Sequence, residues 1–401
     1  MHRSIKLRLA IMMFIQYVVM GATWPIMSLY LRESLGFSGR QTGVVLAMSA
    51  AAALVGPVVI ASVADRLLSA ERLLSVCHIG AACLMALISL ETRFAAVALL
   101  YLAYNLAIGP TVALTNAIVF HNHPQGNRSF GNIRVWGTIG WITVAWGFGF
   151  LWLRDSGTMA LASRLPDALK LSALTSLCLA FYGLTLPNRR ERCQGPMRIV
   201  PVHALRLLLR PQILLIGVVS LLIGIVDRYY YLGMGPYLRQ AGFSDAAIMP
   251  AMSLGQISEV IAMFGLAVVL QRLGFRKVLL MGILAEAARF AVFALGRSQA
   301  LIICAIPAHG LAYTFYFTAA YIYLDSHTDR ESRTGLHQLF SILTSGIAAL
   351  SANLIGGTCL DWLAGDNGAG SFRAFWTVPL ILSLAAMGLI ALLFREKPAE
   401  T

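Results

Sequence analysis

Apolar runs about twenty residues long succeed one another along this chain, parted by short clusters of charge, proline and glycine. They lie at about 9–31, 41–64, 73–91, 94–120, 132–153, 168–186, 211–237, 248–270, 276–296, 299–324, 334–357 and 374–394. A helix rises about 1.5 Å per residue, so each run matches the roughly 30 Å hydrocarbon thickness of a bilayer. Apolar and polar residues do not alternate strictly, which argues against the strands of a membrane barrel. Backbone amides in hydrocarbon must be satisfied within their own segment, and helices do this. The pattern therefore predicts an all-α membrane protein of twelve transmembrane helices. The first run follows a basic start, Met1 to Arg8, as in a signal peptide. It is too long for one, carries Gln16, Tyr17 and Trp24, and no small-residue cleavage site follows. It is expected to stay as the first helix.

Composition agrees. Of 401 residues, 58% are hydrophobic and 12% charged, with a mean hydropathy of +0.74. Soluble domains carry roughly twice that charge. The net charge of +13 sits mostly between apolar runs, where it marks topology rather than a nucleic-acid surface. Lys and Arg number twenty on the side holding the termini and nine on the other. Both termini are thus expected in the cytoplasm. The longest basic stretch, 188–210, falls between the sixth and seventh runs. It predicts a cytoplasmic linker between an N-terminal bundle, 1–187, and a C-terminal bundle, 211–401.

The halves repeat. Tyr30-Leu31-Arg32 and Gly36-Phe37-Ser38 after the first run return as Tyr237-Leu238-Arg239 and Gly242-Phe243-Ser244 after the seventh. Asp65-Arg66-Leu67 returns as Gln271-Arg272-Leu273. The offsets, 207, 206 and 206 residues, agree with one another and with half the chain, as gene duplication requires. Parallel repeats of six spans are a signature of secondary transporters.

Other chemistries find little support. There is no phosphate-binding Gly-x-x-x-x-Gly-Lys loop, so an ATP-driven or enzymatic role is not expected. Six cysteines are scattered, with neither Cys-x-x-Cys nor Cys/His ligand spacing, so no metal site and no disulfide framework are predicted.

The loop after the second run, Ala61 to Arg72, resembles the marker loop of the major facilitator superfamily. Asp65, Arg66 and Arg72 fit it, while both of its glycines are absent. By that resemblance these three form a conformational switch, an Asp capping a neighbouring helix and releasing it as the halves rock. Nearly the whole chain further resembles the nucleoside:proton symporter family. The carrying runs are Arg134-Val135-Trp136-Gly137-Thr138-Ile139-Gly140-Trp141 in the fifth span and Gln256-Ile257-Ser258-Glu259 in the eighth. Pro110-Thr111 with Asn116 in the fourth and Arg289-Phe290-Ala291 in the ninth fit less specifically. The resemblance implies that the fifth- and eighth-span runs line a nucleoside site, that substrate and proton bind between the halves near the midplane, and that the protein imports nucleosides by proton symport. The chain departs from the family in the tenth span, where Thr314 takes an acidic position and His309 a tyrosine's. In the seventh, Arg228 and Tyr231 stand where amides are expected.

Residue chemistry points the same way. Charges inside spanning segments cost a few kcal/mol or more each and need partners or water. They are Asp227, Arg228, Glu259, Glu286 and Arg289, with Arg134 near a helix end. Glu259 and Gln256 share a helix face. Glu259 is the leading proton carrier, with Asp227 as a second. Arg134, Thr138 and Trp141 share another face at i, i+4 and i+7, suited to hydrogen bonding and stacking a polar aromatic solute. Arg228, Tyr231, His309 and Tyr313 complete the expected substrate set. Glu286 and Arg289, three apart on a span expected at the periphery, are read as a local ion pair. A transporter of another polar solute, such as a sugar or glycoside, stays open, as does a non-transporting receptor or scaffold. The intramembrane charges count against the scaffold. The expected partners are a nucleoside, a proton and the lipid bilayer, with no cofactor. The expected state is a monomer in the inner membrane.

Overall fold

A computed structural model describes residues 2–67, 69–122, 126–154, 158–187, 209–296, 298–328, 333–364 and 372–395. All regular structure among them is helical. Ten helical segments are long and apolar enough to cross a membrane, from Ile5–Ser34 to Phe372–Leu393. One of them, Asp245–Leu295, carries both the eighth and the ninth predicted runs. Its 51 residues, at about 1.5 Å each, would far exceed one bilayer crossing. It breaks at Gly274, whose φ of 75° and ψ of 168° only glycine adopts without strain. The second predicted run lies in Gly39–Leu67, of which Gly39–Val55 is a shorter apolar stretch. The protein is a multi-pass membrane protein. Large apolar side chains are exposed, among them Leu151, Phe264, Trp362 and Leu392, whereas Gln16, His78, Glu286 and Arg289 are fully buried.

Two compact units emerge: Met1–Met197 with Phe243–Ser253, and Arg198–Gly242 with Leu254–Thr401. The predicted linker, 188–210, lies outside the described residues except for its last two. In the first unit, helix His2–Thr23 lies along Gly126–Gly147 and Thr158–Leu184. Their shared core includes Leu9, Met12, Met13, Ile118, Ile133 and Leu179. In the second, Pro211–Gln240 packs on Ala348–Ala364 and Phe372–Leu393. Its core runs through Ile216, Ile223, Leu279, Tyr316, Phe340 and Ile390.

The internal repeat is visible atom by atom. Gly36 and Gly242 both turn the chain with positive φ, 67° and 83°. Phe37 and Phe243 follow them into buried positions. The Tyr30 hydroxyl donates to the carbonyl of Ile88 at 3.0 Å, and the Tyr237 hydroxyl to that of Phe293 at 3.1 Å. Each bond ties the end of a half's first span to the end of its third.

Prolines divide two spans, the fourth and the tenth. The fourth parts into Phe94–Ile108 and Thr111–Asn122 around Pro110. The tenth parts at Pro307, and continues through a wide helical turn, Tyr313–Thr318. Pro lacks the amide a helix needs, so the helical ladder breaks there. The Thr111 hydroxyl donates to Ile108 O at 2.6 Å, and that of Ser258 to Pro307 O.

Close helix approach carries the packing, because lipid tails are as apolar as the side chains and supply no hydrophobic drive between helices. A Cβ on Gly140 would lie 2.3 Å from the carbonyl oxygen of Phe14, and one on Gly21 would lie 2.9 Å from Val144 Cγ1. These glycines bring the first and fifth spans together. Gly140→Ala should therefore destabilise by about 1–3 kcal/mol. Gly131→Ala, on the same helix with nothing within 4 Å of its added Cβ, should be neutral or gain up to about 1 kcal/mol. Melting of the two purified variants checks this; equal behaviour would refute the close-approach account.

Candidate functional site

In the first unit the fifth-span face is built against the first span. The Arg134 guanidinium lies 4.1 Å from the centre of the Tyr17 ring. Trp141 is buried and meets Trp24 edge to face, with centroids 6.1 Å apart. Gly137 makes the seat: a Cβ there would sit 2.6 Å from Tyr17 Cδ2 and 3.0 Å from Arg134 Nη1. Arg134 and Thr138 are half-buried. The arrangement offers a cation held on an aromatic face, a hydroxyl and a paired indole.

Behind this face lies a buried polar chain. Gln16 donates through Nε2 to Thr111 Oγ1 at 2.8 Å and meets His78 Nε2 through Oε1 at 2.9 Å. His78 Nδ1 is 2.7 Å from Ser176 Oγ. The chain links four helices and satisfies each buried group, so it stiffens the unit. Asn116 is half-buried.

Of the switch residues, Asp65 and Arg66 belong to helix Gly39–Leu67, and their side chains lie outside the described residues. Arg72 is exposed in the first turn of Ala70–Ile88.

In the second unit the eighth and tenth spans meet backbone to backbone. A Cβ on Gly310 would lie 2.2 Å from both Glu259 N and Gly255 O. One on Gly255 would lie 2.9 Å from His309 Cδ2. This contact seats His309 beside the Gln256-to-Glu259 run. Gln256 and Glu259 are half-buried. Thr314 Oγ1 donates to the Glu259 carbonyl at 3.4 Å, so the residue in the acidic place contacts the eighth-span backbone.

The seventh span joins them at His309. Its imidazole stacks on Tyr230, centroids 5.2 Å apart, and its Nε2 lies 3.3 Å from the Tyr231 hydroxyl. Nδ1 lies 3.7 Å from Asp227 Oδ1, and Arg228 Nε 3.7 Å from Asp227 Oδ2. Both distances exceed a hydrogen bond. Tyr313, at the start of the wide turn, is 40% exposed and leans on Phe317. His309 is buried, so these two residues of the expected substrate set differ in burial.

The ninth span was expected at the periphery, but its pair sits in the interior. Arg289 Nε donates to Glu286 Oε2 at 2.6 Å with both side chains buried, so the local pair exists. Its guanidinium also lies 4.4 Å from the Tyr230 ring centre. Asp227, Glu286 and His309 each bring one ligand-type atom within 4.8 Å of the others. The donor set alone would suit a metal ion. Arg289 already occupies the Glu286 carboxylate, however, and Arg228 flanks Asp227.

The description "Nucleoside H+ symporter" matches residues 3–399. The chain belongs to the nucleoside H+ symporter family. Within this family, YegT of Escherichia coli (strain K12) is 32% identical over 98% of this chain and 94% of its own length. The xanthosine permease of the same organism is 25% identical over 94% of this chain and 92% of its own. The crystal structure of nucleoside transporter NupG matches the fold with a TM-score of 0.86, at 23% identity over 98% of this chain and 100% of that chain.

In this member of the symporter family, the fifth-span run packs on first-span residues that no motif in the sequence marks. Tyr17 and Trp24 share a face of the first span seven residues apart, a signal that could have been used. Nothing local to the ninth span shows that Glu286 and Arg289 face Asp227. Breaking a buried pair costs about 3–5 kcal/mol, while replacing it with apolar side chains of similar volume is often neutral. Glu286→Gln alone should lower stability by that amount. Glu286→Met with Arg289→Met should melt within about 1 kcal/mol of wild type. A double variant as damaged as the single one would contradict the pairing.

Proposed function

We propose that this protein is a secondary active transporter that imports nucleosides by proton symport, through alternating access. The family match across residues 3–399 is the observation that carries this reading. Two relatives over nearly the full length are named xanthosine permease and nucleoside permease NupG. The side chains suit the task. A nucleoside has a flat polar base and a hydroxyl-bearing sugar. Trp141 with Trp24 offers a stacking surface, while Arg134, Thr138, Gln256 and Glu259 offer donors and acceptors. Arg228, Tyr231, His309 and Tyr313 complete the substrate set. Glu259 and Asp227 are the proposed proton carriers, since ionisable groups in spanning segments mark ion pathways. Asp65, Arg66 and Arg72 are the proposed switch.

The proposed architecture is twelve spans in two six-helix bundles, 1–187 and 211–401, joined by a cytoplasmic linker, 188–210. Ten apolar helical segments, one of them carrying two runs, together with Gly39–Leu67 support that number. The proposed setting is a bacterial-type inner membrane, with both termini cytoplasmic and the protein a monomer.

A buried polar group deprived of its partner costs about 1–3 kcal/mol. Gln256→Ala should therefore weaken nucleoside binding by roughly ten-fold, measured by titration of the purified protein. Glu259→Gln imitates the protonated carboxyl. It should still exchange labelled nucleoside across a vesicle membrane yet fail to concentrate it. Binding of a sugar and not of any nucleoside by the wild type would reverse the substrate assignment. Concentration by Glu259→Gln equal to wild type would remove Glu259 from the proton path.

A further inference from the structure

We propose that Glu286 and Arg289 of the ninth span, with His309 of the tenth, complete a proton-exchange site around Asp227. The proposal rests on the proton-symport reading above and extends its machinery to a helix that no motif marks.

Charge balance is the first ground. Asp227, Glu286 and Arg289 side chains are 10%, 1% and 0% exposed, while Arg228 is 30% exposed. The interior therefore holds two carboxylates and one guanidinium. With both acids ionised and the imidazole neutral, the buried set carries one net negative charge. An uncompensated charge in a low-dielectric interior is costly, and one added proton removes it. Arg228 pairs with Asp227 at 3.7 Å from the more exposed edge, so it offsets this charge only in part.

Unused donors are the second ground. Arg289 spends Nε on Glu286, and its Nη1 and Nη2 are buried without a hydrogen-bond partner among the described residues. His309 Nδ1 is buried in the same condition, 3.7 Å from Asp227 Oδ1. The Arg289 guanidinium lies 4.4 Å from the Tyr230 ring centre, and His309 stacks on that same ring. An ionised Asp227 is drawn toward these donors. A protonated Asp227 is not, and its side chain is free to turn away. Glu286 fixes Arg289 in the position that makes this difference and acts as a positioning residue.

The groups around Asp227 come from three spans: Arg228 of the seventh, Glu286 with its partner Arg289 of the ninth, and His309 of the tenth, which Tyr230 and Tyr231 contact. The eighth span, which carries Glu259, packs on His309 at Gly255. A proton bound here changes the charge of a cluster that ties these spans together, which is how occupancy can bias a two-state transporter.

The test uses full-length protein in liposomes with radiolabelled nucleoside. Counterflow without any gradient reports nucleoside carriage alone. The steady-state accumulation ratio under an imposed pH gradient reports coupling, independently of transport rate. Wild type failing at counterflow would sink the transport reading itself. Given wild-type counterflow, Asp227→Asn and Glu286→Met with Arg289→Met should each bring the accumulation ratio down to one and flatten the pH profile of uptake. Glu286→Asp keeps the charge but withdraws the carboxylate from Arg289 by one methylene, and it should shift the midpoint of that profile. Wild-type accumulation in the double variant, an unchanged pH profile in Glu286→Asp, or accumulation that follows a sodium gradient instead would each overturn the proposal.

Discussion

Hydrocarbon offers no hydrogen-bond partner, and every level of this structure answers to that constraint. It makes the spanning backbone helical, because only a helix closes its own amide bonds. Where Pro110 and Pro307 interrupt the ladder, hydroxyls of Thr111 and Ser258 donate to the nearby carbonyls of Ile108 and Pro307. It also gathers polar side chains inward. Gln16, His78, Thr111 and Ser176 form one closed chain in the first unit. In the second, Asp227, Glu286, Arg289 and His309 share one buried pocket of charge.

Because lipid does not press helices together, contact must come from shape. The fifth-span run illustrates the economy of a short motif. Gly137 seats Tyr17 under Arg134, and Gly140 lets the span rest on the Phe14 backbone. The same glycines that hold two helices together thus set the face of the candidate site. Gly255 and Gly310 do likewise in the second unit, where their contact seats His309 beside Glu259. Packing and chemistry rest on the same few positions, so substitutions there change both.

Much of this was legible in the sequence, for physical reasons. A bilayer demands uninterrupted apolar runs of fixed length, so the spans stand out. The duplication survives as Tyr-Leu-Arg and Gly-Phe-Ser, and the structure shows why these residues pair. The tyrosines make matching bonds to Ile88 and Phe293, and the glycines make matching turns. What stayed hidden is contact between distant helices. An i, i+3 pair such as Glu286 and Arg289 looks the same in a sequence whether it faces lipid or a carboxylate on another span. Tyr230 stacking on His309 and Trp24 meeting Trp141 are likewise products of packing rather than of local spacing. Tyr313 is exposed where His309 is buried, because the wide turn at Tyr313–Thr318 changes the helical register there.

The central claim is that a proton enters with each nucleoside, carried by acidic groups buried in the spans. The most direct test is a pH-sensitive dye enclosed in liposomes bearing the wild-type protein. Adding nucleoside outside, with no imposed gradient and the membrane potential clamped at zero, should acidify the interior as nucleoside enters, and adding a sugar should not. Nucleoside entry at an unchanged internal pH would contradict the account.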